Sequence, residues 1–233
     1  MFLQSEYLKF KNIELKNFSI QVPQNKFLCK GLNFYNLKIE DIELFFNKNL
    51  EGYSNFYFYD GTGKVNFKLD VSFSNIKGFF TIDNININKL AISLNDKIVI
   101  NGLINLVGSF NILKGNLELD TIFKSIKKKG VKQYMNFGAI EFITSLSGTN
   151  PIKRVGTSNF YYSNISGKIS IKNNRLTIEG LAGEKGENQY LVTKPFLLPG
   201  INLLIDKRNN TIEINELINR VNLAIERIKQ KDL

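Results

Sequence analysis

One pattern of apolar residues occurs three times in the first hundred positions, and it limits what the chain can fold into. In residues 8–22 it consists of Leu8, Phe10, Ile13, Leu15, Phe18, Ile20 and Val22. In residues 32–46 the same places hold Leu32, Phe34, Leu37, Ile39, Ile42, Leu44 and Phe46. In residues 80–94 they hold Phe80, Ile82, Ile85, Ile87, Leu90, Ile92 and Leu94. The copies begin 24 and then 48 residues apart, so the repeat is not tandem at a fixed period.

Each copy alternates like a strand, slips by one residue, and alternates again. A strict strand would throw Leu37 and Ile39 onto the face opposite Phe34 and Ile42. Two solutions keep all seven on one face: an extra residue bulges at each slip, or the chain turns there. The slip residues are Lys11-Asn12, Lys16-Asn17, Tyr35-Asn36, Glu40-Asp41, Asp83-Asn84 and Asn88-Lys89, polar except for Tyr35. Spacings of two and three do not hold one face of a helix. The expectation is a mainly β chain of long, bulged or coiled strands, forming a curved, twisted antiparallel sheet with the repeated apolar positions on its concave side.

Turn chemistry organises the rest. Asp60-Gly61-Thr62-Gly63 reads as a turn, and Val65, Phe67, Leu69 and Val71 alternate after it. Shorter strands follow over Ile98–Ile100, Leu103–Val107, Phe110–Leu113 and Leu117–Leu119, punctuated by Gly102, Gly108 and Gly115. Near Asp120 the period changes. Asp120 or Thr121 is placed to cap a helix through Ile122, Phe123 and Ile126. A second helical piece carries Val131, Tyr134, Met135, Gly138, Phe142 and Leu146 and ends at Gly148. Asn150-Pro151 and Gly156 mark a loop. From Phe160 to Asn215 the chain reads as an antiparallel meander, with hairpin signals at Asn173-Asn174 and Asn209-Asn210. A helix over about 215–229 closes the chain, with an apolar stripe of Leu217, Ile218, Val221, Ile225 and Ile228. This divides it into a repetitive strand region, 1–119, and a helix, meander and terminal-helix region, 120–233, continuous with the first sheet.

The 233 residues are 43% hydrophobic, enough to bury a core. The net charge of +10 attracts phosphate in general. However, the lysines are scattered, with one run at Lys127-Lys128-Lys129, so no nucleic-acid footprint forms and a solvated basic surface is the plainer reading. There is no histidine, and Cys29 is the sole cysteine. That removes the usual general base, internal disulfides and a zinc site, and leaves Cys29 as a packing residue with no histidine to activate it. Glu40-Asp41 are adjacent strand residues on opposite faces, not a catalytic pair. Gly61-Thr62-Gly63 and the Gly183/Gly186 loop lack phosphate-binding spacing. The sequence predicts no catalytic residue, no cofactor and no enzyme activity. No apolar run reaches membrane-span length, and MFLQSEYLKF does not read as a secretory signal. Strand pattern starting by Leu8 suits the C-terminal part of a longer chain.

Tyr161-Tyr162 before Ile165-Ser166-Gly167, IKNNRLTIEGLAGEKGENQYLVT, GINLLIDKRNNTIEI before the last helix, and VKQYMNFGAIEFITSLSG together resemble the C-terminal region of bacterial AsmA-like envelope proteins. The resemblance covers about half the chain, in structural motifs. It implies a repeating β-groove with an apolar concave face, a place in the cell envelope or periplasm, and a role in moving or accommodating lipid between membranes. Members of that family usually begin with a membrane anchor, which this chain lacks; a fragment, a split gene product or a divergent soluble member fits. On this reading Phe10, Ile13, Leu15, Phe34, Leu37, Ile39, Ile42, Leu44, Ile82, Ile85, Ile87 and Leu90 line the groove, and the partners are phospholipid or another acyl lipid, with membrane or envelope proteins beside it and no nucleic acid. The alternative is a structural scaffold module whose sheet is covered by its own helices.

Overall fold

The computed structural model describes residues 2–10, 13–21, 25–34, 37–70, 74–146, 159–185, 188–206 and 210–230. In chain order the elements are β1 (Phe2–Phe10), β2 (Ile13–Gln21), β3 (Lys26–Phe34), β4 (Leu37–Phe46), β5 (Glu51–Phe58), β6 (Gly61–Leu69), β7 (Asn75–Asn86), α1 (Ile87–Leu94), β8 (Ile100–Asn101), β9 (Leu103–Leu113) and β10 (Asn116–Ile126). Then come β11 (Tyr134–Asn136), α2 (Phe137–Leu146), β12 (Asn159–Tyr161), β13 (Asn164–Lys172), β14 (Arg175–Gly180), β15 (Gly183–Lys185), β16 (Asn188–Thr193), β17 (Leu203–Asp206), β18 (Thr211–Glu213) and α3 (Ile214–Gln230). The chain is mainly β, its principal sheet is antiparallel and not closed into a barrel, and its last helix is C-terminal.

Two compact units share the chain: Met1–Ile85 with Asn105–Leu119, and Asn86–Ile104 with Asp120–Leu233. In the first unit β1 to β7 pair in sequence order, each antiparallel to the next, and β9 and β10 continue the order. In the second, β10 is followed by β13, β14 and β18, while β16 joins β13 and carries β15 and β17. A separate small sheet runs β12-β11-β8.

The second unit holds a closed core. Met135, Ala139, Ile140 and Phe142 pack with Ile98, Tyr162, Ile165, Val192, Leu203, Ala224 and Ile228. Asn136 sets the start of α2. Its Oδ1 accepts from the Ala139 and Val99 amides at 2.9 and 3.1 Å, and its amide donates to the Lys97 carbonyl at 2.8 Å. One side chain thereby caps a helix and ties it to the segment that leads into β8. Lys97 Nζ also donates to the Ile228 and Lys229 carbonyls, at 3.5 and 3.3 Å, where the α3 dipole favours a cation. Burial raises the pKa of Tyr162, whose hydroxyl donates to the Asn101 carbonyl at 2.9 Å.

Tight turns carry the strand reversals. Asn173 and Asn174 both have positive φ, 51° and 59°, and Lys172 faces Arg175, a two-residue hairpin as the sequence suggests. Tyr59 and Asp60, at 46° and 67°, make the same kind of turn between β5 and β6. The turn therefore lies one to two residues before the expected glycines, and Gly61 and Gly63 are strand residues.

Several expectations are corrected. Residues Asp120–Ile126 are the end of strand β10, not a helix. Asp120 accepts from Ser170 at 2.7 Å and pairs with Lys168 at 3.1 Å, and the Ser125 hydroxyl receives the Ile165 amide, so partners on β13 claim the groups a helix cap would have used. The helix near 131–148 begins only at Phe137, because Tyr134–Asn136 pair with β12 and β8. Leu203–Ile205 and Ile212–Ile214 are not a hairpin: β17 pairs with β16, β18 with β14, and Ile214 opens α3. The three short runs after Gly102 are two long strands, with Gly108 inside β9. Lys11-Asn12, Tyr35-Asn36, Asn209, Gly186, Val22, Val71 and the loop at Asn150, Pro151 and Gly156 lie outside the described residues.

Candidate functional site

The first two repeats are hairpins. Phe10 faces Ile13 and Phe34 faces Leu37, so the strands on either side of the first slip in each pair antiparallel. The second slip is inside a strand, and there the backbone is left-handed: φ is 48° at Asn17 and 50° at Asp41. Asn and Asp tolerate this region. A left-handed residue interrupts the two-residue alternation without shifting the pairing, since Lys16 faces Gly31 and Phe18 faces Cys29 on either side of Asn17. The second slip is thus neither foreseen solution among β2, β3 and β4: it is a left-handed residue that keeps the register, with no extra bulged residue. Between β4 and β5 the register does shift, between Glu40 and Glu43, as a bulge requires.

Cross-strand register gathers the repeat positions into rows. Leu8, Leu15, Leu32 and Ile39 face one another across β1 to β4. Phe10, Ile13, Phe34 and Leu37 form the next row toward the turns. Beyond the kink, Phe18, Cys29 and Ile42 align, and Ile20, Phe27, Leu44, Ser54, Val65 and Phe80 run across six strands. The row one residue away, on the other face, reads Ser19, Leu28, Glu43, Asn55, Lys64 and Thr81. Along these two rows one face is apolar and the other largely polar, the expected division for a sheet covered on one side, while the next row on the polar side, Lys26, Phe45, Tyr53, Asn66 and Phe79, mixes aromatic with polar residues.

That apolar face is only partly covered. Phe18 and Cys29 are buried, but Leu15, Ile39, Ile42 and Leu44 are half-buried, and Leu8, Ile13, Ile20 and Leu37 are exposed. Toward the end of the same strands a cleft of about 540 Å³ is lined by Phe46 and Phe67 from the apolar rows and by Phe45, Tyr53, Phe79, Lys68 and Lys77 from rows of the other face. Phe46 meets Phe67 edge-on at 5.4 Å, and Phe45 stacks on Tyr53 at 4.8 Å. Strand glycines make room for these rings. Gly52 faces Phe67 and Gly63 faces Phe56, and a Cβ on either glycine would fall within the facing ring.

The third repeat departs from the other two. Ile82 and Ile85 lie on β7 and are buried, with the left-handed kink at Asn84, φ 60°. Ile87 and Leu90 leave the strand for α1, so they do not extend the rows. Asn86 caps that helix, accepting from the Lys89 amide at 3.3 Å. Helical spacing was present in the sequence as Ile87, Leu90, Ala91 and Leu94, but Ala91 is too small to stand out in an apolar pattern built on large residues. The side chains of Phe10 and Phe34 lie outside the described set.

Among the described residues, no group of three or more Cys, Asp or Glu is arranged to hold a metal ion, and no helix is long and apolar enough to cross a membrane. Comparison with protein-family models, curated proteins and solved structures finds no match to this chain.

Proposed function

We propose that the strand-rich first unit binds acyl lipid on its apolar face, as a non-catalytic lipid-binding or lipid-transfer module of the cell envelope. The observation that carries this reading is the contrast between the two faces: rows of Leu, Ile and Phe stay half-exposed on one side while Glu43, Asn55 and Lys64 occupy the other. An acyl chain gains about 0.8 kcal/mol per methylene removed from water, so such a face needs no catalytic group to hold one. The resemblance of the second half to AsmA-like proteins supports the same assignment. Native mass spectrometry after mild purification tests it, followed by exchange with a fluorescent phospholipid. Adducts of phospholipid mass and saturable exchange are expected; a bare protein that exchanges none refutes the reading.

The second unit favours a structural role. Met135, Ile140 and Val192 are fully buried among its own strands and helices, so it fills its own core.

A further inference from the structure

Loops normally expose polar residues, yet residues 195–199 read Pro-Phe-Leu-Leu-Pro. Phe196 is 99% exposed, Leu197 86% and Leu198 52%. Single exposed apolar residues are ordinary, whereas three consecutive large ones mark an interaction site.

The base of this loop is tightly held. The Lys194 amide donates to Asn202 Oδ1 at 2.8 Å, and the Tyr161 amide donates to the Pro199 carbonyl at 3.0 Å. The Ser163 amide donates to the Thr193 carbonyl at 2.7 Å, and the Ser163 hydroxyl donates to the Lys194 carbonyl at 3.2 Å. Gly200 closes the loop against the Tyr161 carbonyl, beside Lys194 and Pro195, where any side chain would collide. Val192 and Leu203, on the strands that enter and leave, are buried in the core. Prolines at both ends limit the backbone further. The apolar tip is therefore displayed on a fixed support and has not failed to find a place in the core.

We propose that Phe196, Leu197 and Leu198 form a membrane-docking tip that enters the headgroup–acyl boundary of a lipid bilayer. Pro195–Pro199 carries no polar side chain that could fix the register of a protein partner. A stable protein interface buries on the order of 1,200–2,000 Å² with a polar rim, more than five residues supply. A bilayer demands only apolar insertion and tolerates any rotation about the loop. Exposed Lys194 adjoins the tip, and the chain carries +10 overall, which complements anionic headgroups. The proposal stands on residues of the second unit alone and does not depend on lipid binding by the first.

The chain has no tryptophan, so Phe196→Trp gives a single reporter at the tip. The full chain is mixed with vesicles of phosphatidylcholine, plain or containing phosphatidylglycerol. The indole emission should shift to shorter wavelength and be quenched by lipids brominated on their acyl chains, more strongly with the anionic vesicles. A Phe196→Ser, Leu197→Ser double variant should keep its circular dichroism and melting temperature and lose vesicle binding by about tenfold or more. Its uptake of a soluble fluorescent fatty acid should be unchanged, which separates this tip from the sheet face. An emission spectrum that vesicles do not move, or a double variant that binds them as well as its parent, would overturn the proposal. A shift that grows with protein concentration and without lipid would overturn it too, in favour of a protein contact.

Discussion

Lys30 Nζ donates to Asp41 Oδ1 at 2.7 Å across β3 and β4, at the left-handed residue of β4. Both side chains are exposed, so the ion pair itself contributes little. The backbone at Asp41 matters more, because its φ of 50° is unfavourable for most residues.

This separates charge from conformation. Asp41→Asn keeps a residue that tolerates the left-handed region and loses the ion pair; it should be close to neutral. Asp41→Val should destabilise the protein by about 1–2 kcal/mol, the cost of that backbone for a β-branched residue. Urea midpoints of the two variants check this, and equal midpoints would show that the kink is not conformationally enforced.

The glycines of the first unit are not equivalent. Gly63→Val should cost about 1–3 kcal/mol, because the new side chain displaces the Phe56 ring. Gly31→Ala should stay within about 0.5 kcal/mol, since a Cβ there meets only Lys16 Cβ at an ordinary 3.8 Å. Thermal melts of both variants test whether ring cover, and not glycine content, sets the tolerance.

Tyr162 should make stability fall at high pH. Burial raises its folded pKa above the ordinary value near 10, so its contribution is complete below about pH 10 and is lost as pH rises further. In an absorbance titration one of the nine tyrosines should resist ionisation until the protein unfolds. Tyr162→Phe should abolish that resistant component and lower stability by about 0.5–1.5 kcal/mol at neutral pH through the lost bond to Asn101.

On α3, Ile228→Ala should cost about 2–5 kcal/mol because Ile228 is buried in the core, whereas Leu223→Ala, on an exposed residue, should stay within about 0.5 kcal/mol. Chemical denaturation distinguishes the two. If both variants are neutral, the helix does not pack as described.

Local chemistry explains which parts of the fold are legible in the sequence. Asn173-Asn174 marks its own turn because the residue type and the backbone it needs coincide. The terminal helix announces itself by period, although small Ala224 supplies a buried position that the stripe of large residues omits, and Ile218, named in that stripe, is exposed. What failed was decided by partners distant in sequence. Asp120 looks like a cap until Ser170 and Lys168 on β13 engage it. Ile212 looks like the partner of Leu203 until β14 takes it. The rows of the candidate face were legible because one spacing recurs with its slips. The apolar tip at Phe196–Leu198 was not, since exposure is a property of the folded chain and the run resembles a buried strand.

Ile39 and Asn55 offer a matched test of the lipid-binding face. Ile39 belongs to the apolar row with Leu15 and Leu32, and Asn55 to the polar row with Glu43 and Lys64. A charge placed among acyl chains is costly to desolvate, whereas the same charge on the polar face meets water. Ile39→Asp should therefore abolish phospholipid co-purification, and Asn55→Asp should leave it intact. Circular dichroism and melting must first show that Ile39→Asp is folded, and its half-buried setting, with exposed Leu37 in the neighbouring row, favours that outcome. Ile39→Phe gives a second reading if it is not, because it keeps the face apolar and changes only its contour. A lipid-binding face should then hold less lipid at near-native stability, while a face packed against protein should lose about 1–3 kcal/mol to overpacking and show no lipid in either form. If Asn55→Asp removes lipid as completely as Ile39→Asp, the bound lipid is not on the apolar rows.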